Sequence, residues 1–323
     1  PRYHGSMLID SRTLPQDIHI ETDLCIVGAG AAGISIAREF AGSGMNIALL
    51  ESGGFSPEEL TQSLYQGDNT GEFPRYAPDQ PRSRYFGGTT NAWSGNCRPL
   101  EPADFKQRAW IPHSGWPFGR EELDPYYTRA RQICQLGEHH SSPDNCKLPR
   151  DNSILPLAPE RVRTAIFEVS PPTRFGRKYR DTVTNAANIS VYLHANVVNI
   201  DANDTISRVR QLQVACLEGP SFRVSAKVYV LATGGIENPR LLLNSDDRQP
   251  AGLGNHHDIV GRFFMEHPSY YNGKLVLSDP LIATGLYRPP QPRYRQRVHG
   301  TLVLTESTQR QEQLSGLSFI TYS

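Results

Sequence analysis

The feature that most constrains this chain is a glycine-spaced turn, Gly28-Ala29-Gly30-Ala31-Ala32-Gly33, set between an apolar run and a helical pattern. Asp23-Leu24-Cys25-Ile26-Val27 before it suits a buried parallel strand, and Ile34, Ala37 and Phe40 after it recur at helical spacing. A second run, Asn46-Ile47-Ala48-Leu49-Leu50, ends in Glu51. Strand, glycine turn, helix, strand and acid within about 30 residues is the pattern of a dinucleotide-binding βαβ unit. Each glycine has its own task there: Gly28 permits the tight turn, Gly30 lets a pyrophosphate approach the backbone, and Gly33 allows close helix–strand packing. The helix N-terminus offers free N–H groups and the positive dipole end to the phosphates. Glu51, 18 residues after Gly33, stands where an acid accepts hydrogen bonds from ribose hydroxyls and repels a 2′-phosphate, which disfavours NADP. Ala29, Ala31 and Ser52 complete this candidate seat. A glycine-rich αβ turn without ligand is the alternative, and the motif alone does not separate FAD from NAD.

Composition narrows the classes around that unit. The 323 residues carry 33 basic and 33 acidic side chains, so no excess of cations argues for a nucleic-acid partner. Apolar residues at 38%, with 27 glycines, place the chain among globular proteins rather than disordered ones. No apolar run approaches the roughly 18–20 residues that span a bilayer. The 27 glycines and 25 prolines point to turns and long ordered loops rather than a helical bundle. Length alone suggests roughly two domains. The cysteines Cys25, Cys97, Cys134, Cys146 and Cys216 contain no CxxC pair, so neither a zinc site nor a thioredoxin-like motif is expected, and no metal is assigned. Their number is ordinary for a reducing compartment, and no secretory leader pattern is present, which gives a cytoplasmic expectation. Residues Pro1 to Ser6 ahead of Met7 read as a cloning scar or a native extension.

Along the chain, residues 55 to 150 are polar, rich in Pro, Tyr, Arg and Trp, and weakly periodic, which suggests a covering segment. Within it a helix is expected from Arg120 through Arg131 to Leu136, with Gly137 as its cap. Residues 138 to 160 read as a surface excursion. Strand signals follow at Ile189 to Ile200, Val209 to Leu217 and Phe222 to Leu231. Ala232-Thr233-Gly234-Gly235 and a helix through Asn238 to Leu243 come next, and Gly300 to Thr305 is one more alternating strand.

A second glycine pair separates the two cofactors. Arg84-Tyr85-Phe86-Gly87-Gly88-Thr89-Thr90-Asn91-Ala92-Trp93-Ser94-Gly95 resembles the flavin loop of the glucose-methanol-choline (GMC) oxidoreductases. Gly115-Trp116-Pro117 with Leu123-Asp124-Pro125-Tyr126-Tyr127 resembles that family's loop and helix after the flavin. Val230 to Gly235 with Asn238-Pro239-Arg240-Leu241-Leu242-Leu243 resembles its later strand–turn–helix, and Gly261 to Pro268 resembles the opening of its substrate domain. The last is most like the pyranose-oxidase and bacterial glycoside-oxidase branch. The resemblance implies an α/β fold: a Rossmann-like FAD-binding domain with a parallel sheet, plus an incomplete antiparallel-sheet substrate domain of α+β type. It divides the chain into a tail (1–18), a first FAD-binding segment (19–110), a covering insertion (111–165), a second FAD-binding segment (166–262) and the start of a substrate domain (263–323). It adds Arg84, Gly88, Thr89, Asn91, Ala92, Trp93, Val197, Ala232, Thr233 and Gly234 to the cofactor-binding residues. Read without the family, Gly87-Gly88 is also compatible with a plain turn, Thr89 to Asn91 with the cap of a helix starting near Trp93, and Val197 with an ordinary strand residue.

Some GMC members tether FAD through a histidine in this loop; the matching position here is Ala92, which implies non-covalent FAD. The implied reaction is oxidation of an alcohol group, a secondary hydroxyl of a sugar or glycoside, by hydride transfer to flavin N5 with oxygen or a quinone as acceptor. The family's catalytic histidine lies toward its C-terminus, so the resemblance leaves the base outside this chain, in further polypeptide or in a second chain. His256-His257, His267, His113 and His139-His140 all read more simply as loop or turn histidines, and none is assigned as base. Tyr287 to Arg297 reads as a solvated loop rather than a sugar-binding strip, and Trp93, Trp110 and Trp116 as packing residues or sugar-stacking ones. Two further readings stay open: an NAD-dependent dehydrogenase, and a flavoprotein that uses FAD structurally or as a lyase.

Overall fold

The computed structural model describes residues 8–70, 77–137, 154–267, 270, 273–274, 276–277, 279, 282, 284–288 and 298–319. In chain order its strands are β1 (Leu8–Asp10), β2 (His19–Val27), β3 (Ile47–Leu50), β4 (Asn96–Cys97), β5 (Val162–Val169), β6 (Ile189–Leu193), β7 (Asn196–Ala202), β8 (Val209–Ala215), β9 (Ser221–Leu231), β10 (Val298–Leu304) and β11 (Ser318–Phe319). The α-helices are α1 (Ala31–Glu39), α2 (Glu59–Ser63), α3 (Pro102–Phe105), α4 (Asp124–Ile133), α5 (Phe175–Lys178), α6 (Arg180–Thr184), α7 (Glu237–Asn244) and α8 (Glu306–Gln311). Two compact units result, residues 1–93 with 174–268, and residues 94–173 with 269–323. Among the described residues no helix is long and apolar enough to cross a membrane.

The first unit is built on a seven-stranded sheet in the order β1-β6-β3-β2-β9-β8-β7. β1, β6, β3, β2 and β9 are parallel, whereas β9-β8-β7 continue as an antiparallel meander. β2 alternates in burial at its start and becomes wholly buried from Leu24 to Val27, as a strand covered on both faces must. α1 presents Gly33, Ile34 and Ala37 to the core, the helical spacing read from the sequence.

The strand expected over Ile189 to Ile200 is two strands. His194 takes φ 59°, and the chain leaves parallel pairing with β1 and β3 to pair antiparallel with β8. β6 and β7 stand five places apart in the sheet order, about 24 Å if the sheet were flat. The two residues between them bridge only about 10 Å. The sheet therefore folds back on itself along β9, and the meander covers one face. A single core joins the layers, with Val27, Leu50 and Tyr192 on one side and Val197, Leu212 and Val214 on the other.

The second unit holds an antiparallel sheet in the order β11-β10-β5-β4. β5 pairs β10 from Val162↔Leu304 to Glu168↔Val298, so residues far apart in sequence share one ladder. The alternating strand expected at Gly300 to Thr305 is β10, and all seven of its residues are buried, because both faces are covered. Tyr287, expected in a solvated loop, is a core residue 1% exposed. Its ring packs with Leu155, Ile166 and Leu302, while its hydroxyl meets Thr164 Oγ1 at 2.7 Å and accepts from Leu155 N at 2.9 Å. Residues 289–297 of that stretch lie outside the described residues, as do His139, His140 and Cys146.

Two local expectations also change. The helix through Leu136 is a 3-10 turn at Arg120–Glu122 followed by α4, and its left-handed cap is Gln135 at φ 56°, not Gly137. Leu136 N donates to Arg131 O at 2.9 Å, the bond of a Schellman end, and α4 stops at Ile133, three residues before Leu136. No helix starts at Trp93: Gly88–Asn91 form a 3-10 turn that ends at Ala92, because Thr90 Oγ1 donates back to Gly87 O at 2.6 Å.

Candidate functional site

The glycine turn sits at the C-terminal end of β2, between β3 and β9, where ligands bind in open α/β sheets. Gly28 is left-handed (φ 98°), and its N–H donates to Leu50 O at 2.7 Å. A Cβ on Gly28 would meet Ala232 O at 2.7 Å, and one on Gly33 would collide with Gly28 O. Gly30 differs, because a Cβ there meets nothing within 4 Å. Two glycines thus close the turn internally while the third leaves its outer surface open. Gly30 is also the N-cap of α1, so the first-turn N–H groups of Ala31, Ala32 and Gly33 open toward that space.

Glu51 lies beside the turn and is buried. Its Oε2 accepts from Ala29 N at 2.9 Å and its Oε1 from Gly53 N at 2.9 Å, with Ser52 Oγ at 3.4 Å. Burial pushes its pKa above the ordinary carboxylate value, and the two backbone N–H groups and the Arg84 charge limit the rise. The single donor on Oε2 leaves it a lone pair for a further hydroxyl donor.

The second glycine loop is laid directly over the first. Gly87 N donates to Ala29 O at 2.8 Å, and a Cβ on Gly88 would come within 2.9 Å of Gly30 Cα. Phe86 N donates to Gly54 O at 3.0 Å, and a Cβ on Gly53 would collide with Arg84 O. The loop's amide and one hydroxyl serve the loop itself: Asn91 Nδ2 donates to Phe86 O at 3.1 Å, as Thr90 Oγ1 does to Gly87 O. Thr89 and Ala92 are exposed. Trp93 stands edge-on to Phe175 at 6.5 Å, and its carbonyl accepts from Arg174 Nη1 at 2.8 Å.

Arg84 holds the loop from behind. Its Nη1 reaches Glu237 Oε2 at 3.2 Å, while Arg82 and Arg240 meet the same carboxylate at 2.9 and 2.8 Å. Burial acts to raise the Glu237 pKa, but hydrogen bonds from Arg82 and Arg240 outweigh it and hold the carboxyl below its ordinary value. Arg84 Nε is buried without a hydrogen-bond partner.

On the other flank, Ala232 N donates to Val27 O at 2.8 Å, which ties the 232–235 turn to the end of β2. Asn238 Oδ1 accepts from Thr233 N at 3.0 Å and Thr233 Oγ1 at 2.5 Å, fixing the turn onto α7, and Gly234 is left-handed and open. Val197 is buried in β7 opposite Val214. It follows a segment bound to Glu51 and Gly53, since Ala195 N donates to Glu51 O at 2.9 Å and His194 N to Gly53 O at 3.2 Å.

His194 is a site-edge residue that the sequence did not flag. It is buried, its Nδ1 lies 3.5 Å from Glu58 Oε2, and with Ser52, Thr61 and Asn196 it lines a small cleft. Its only sequence signal was its place inside an expected strand. His113, His256, His257 and His267 are exposed. In the second unit, Trp110 donates to Leu314 O at 3.1 Å and Trp116, 56% exposed, packs on Phe118 at 5.6 Å. Among the described residues no group of three or more His, Cys, Asp or Glu converges as a metal site.

Residues 23–252 match the family model of FAD dependent oxidoreductases (DAO). Among curated proteins, the chain is 26% identical to the fructose dehydrogenase large subunit of Gluconobacter japonicus, over 77% of this chain and 59% of that protein. It is 26% identical to paromamine 6'-oxidase of Streptomyces fradiae, over 81% and 56%, and 24% identical to an uncharacterized GMC-type oxidoreductase of Sinorhizobium fredii, over 74% and 52%. The chain thus spans a little over half the length of these relatives. A similar solved structure is pyridoxine 4-oxidase (TM-score 0.49, 21% identity), covering 68% of this chain and 51% of that one. With the model matched from the first strand of the glycine-turn unit to beyond the 232–235 turn, the chain belongs to the FAD dependent oxidoreductases, and its curated relatives include GMC-type oxidoreductases.

Proposed function

We propose that the protein carrying this chain oxidises an alcohol group, a secondary hydroxyl of a sugar or glycoside, with FAD held non-covalently at the glycine turns. The observation that carries the proposal is the stacking of Gly87-Gly88 directly on Gly28 to Gly30, at the ends of adjacent parallel strands. Bound FAD would supply the hydride acceptor at flavin N5. In this reading the open face at Gly30 and the N-terminus of α1, with Gly28, Ala29, Ala31 and Gly33, receives the pyrophosphate. Glu51 and Ser52 take the ribose hydroxyls, and the backbone at Val197 meets the adenine. Arg84, Gly88, Thr89, Asn91, Ala92 and Trp93 border the isoalloxazine ring, with Ala232, Thr233 and Gly234 on its flank. The stacked loops shape and shield this seat, and no base is assigned among the described histidines.

The substrate class is supported by two relatives, the fructose dehydrogenase large subunit and paromamine 6'-oxidase. Oxygen or a quinone is the proposed electron acceptor, and a cytoplasmic setting belongs to the same proposal. The protein as encoded should be yellow, and a panel of sugars, glycosides and aminoglycosides added anaerobically should bleach its flavin absorbance. Acid precipitation should leave the flavin in the supernatant. A colourless protein carrying nicotinamide sinks the reading, and flavin in the pellet sinks its non-covalent aspect.

A further inference from the structure

Four cysteines fall among the described residues, all as free thiols, and only two of them meet. Cys97 lies in β4 directly opposite Glu168 of β5. Cys134 is the residue that closes α4, three positions after Arg131 and therefore on the same helix face. Arg131 Nη1 grips both carboxylate oxygens of Glu168, and Arg131 Nη2 donates to Gly137 O at 2.6 Å. The Cys97 and Cys134 side chains therefore approach one another beside this ion pair. Two contacts thus join the same helix face to the same pair of strand residues. Further bonds hold both ends: Cys97 Sγ lies 3.5 Å from Gly95 O, and Cys134 O accepts from Thr173 Oγ1 at 3.0 Å. The part-buried Arg131–Glu168 ion pair fixes the helix face against the strand and so holds the two thiols beside one another.

We propose that Cys97 and Cys134 form a peroxide-reactive dithiol that closes to a disulfide between β4 and the end of α4. Both thiols are partly exposed, so a small oxidant reaches them. Cys134 is the attacking sulfur: the neighbouring Cys97 thiol holds its pKa below the ordinary value, and the Cys134 sulfur in turn raises that of Cys97. The Cys134 thiolate attacks one oxygen of hydrogen peroxide, the O–O bond breaks, and hydroxide leaves. The Cys97 sulfur then displaces hydroxide from the Cys134 sulfenic acid, forming the S–S bond. In sum the two thiols give up two electrons and two protons, and peroxide is reduced to two waters. Cys25, fully buried with its pKa pushed up to about 12, and Cys216, whose pKa burial also raises, have no such partner thiol among the described residues and should not react this way.

The test is peroxide treatment of the intact protein, quenching, denaturation and alkylation. The expected result is the loss of two of the chain's five alkylatable thiols, with a mass lower by two hydrogens and full reversal by dithiothreitol. Cleavage before aspartate separates Cys134 from Cys146 at Asp144 and should give one cross-linked pair, the peptides carrying Cys97 and Cys134. In Cys97→Ser, Cys134 should stop at the sulfenic acid and take a single dimedone adduct, whereas Cys146→Ser should still form the cross-link. Cys97 and Cys134 remaining alkylatable under peroxide that oxidises the protein's methionines overturns the proposal. So does a cross-link from either residue to another cysteine, or their direct conversion to sulfinic or sulfonic acid.

Discussion

At the residue scale, the three glycines of the first turn make separable demands. A Cβ on Gly33 collides with the Gly28 carbonyl, so Gly33→Ala forces α1 away from β2 and should cost about 1–3 kcal/mol of stability. Gly30→Ala adds its methyl to open space, so its melting temperature should stay close to that of the parent. That methyl occupies the proposed pyrophosphate approach, and FAD affinity should fall by about tenfold or more, a loss of about 1.4 kcal/mol. Flavin fluorescence titration beside thermal unfolding reads both effects. Undiminished FAD binding by Gly30→Ala would move the seat elsewhere. Glu237 sets a second prediction. Its folded pKa lies below the unfolded value, so it contributes stability above pH about 4.5 that is lost as pH falls through the folded pKa. Glu237→Gln leaves Arg82 and Arg84 buried without their carboxylate, and should cost about 3–5 kcal/mol near neutrality. Denaturant unfolding from pH 7 to pH 3 should show the parent approaching the variant as pH falls; a constant gap would remove Glu237 from the acid response.

At the element scale, the β7–β8 hairpin carries one residue in the wrong conformation for its type. Ile206, in the connection, has φ 54°, where a β-branched side chain is strained. The connection needs that geometry, because Asn203 Oδ1 accepts from Ser207 N at 2.9 Å and Arg208 N at 3.1 Å, and Ile206 N closes onto Asn203 O at 2.9 Å. Ile206→Gly should therefore raise stability by about 1 kcal/mol, read as a higher denaturation midpoint with an unchanged slope. A fall in the midpoint would show that the isoleucine side chain contributes more by packing than its backbone costs. The hairpin also shows where periodicity stops being informative. β8 and β9 were legible because their apolar runs are bounded by turn residues. The break at His194 was not, since Ile189 to Ile200 reads as one continuous strand and only the tertiary pairing of its two halves divides it. β10 has an alternating sequence for the same reason without an exposed face: Val298, Gly300, Leu302 and Leu304 alternate with His299, Thr301 and Val303, yet both sets are covered.

At the scale of the whole molecule, the glycine turn, its acid and the second glycine pair were legible because backbone constraint leaves a residue-type signature at short range. What the sequence could not show was their stacking, which depends on Gly53, Gly88 and Gly176 giving way to neighbouring backbone from distant segments. The Arg82–Arg84–Arg240 grip on Glu237 was hidden likewise, because Arg82 and Arg84 stand some 150 positions from it. Every residue proposed for the FAD seat, from Gly28 to Gly234, belongs to the first compact unit. Ligand linkage therefore makes a spatially resolved prediction. At free FAD a hundredfold above its dissociation constant, binding adds about 2.7 kcal/mol to whatever unit holds the seat. Deflavinated and FAD-loaded protein should then differ in hydrogen exchange across 24–54, 84–93, 191–197 and 228–238. Amides there that exchange through unfolding of the first unit should slow by about a hundredfold. Peptides from β5 and β10, the paired strands of the second unit, should exchange at the same rate with and without FAD. Equal slowing in β5 and β10 would mean that the cofactor draws some of its binding energy from residues 94–173 or 269–323, and the seat would have to be redrawn to include them.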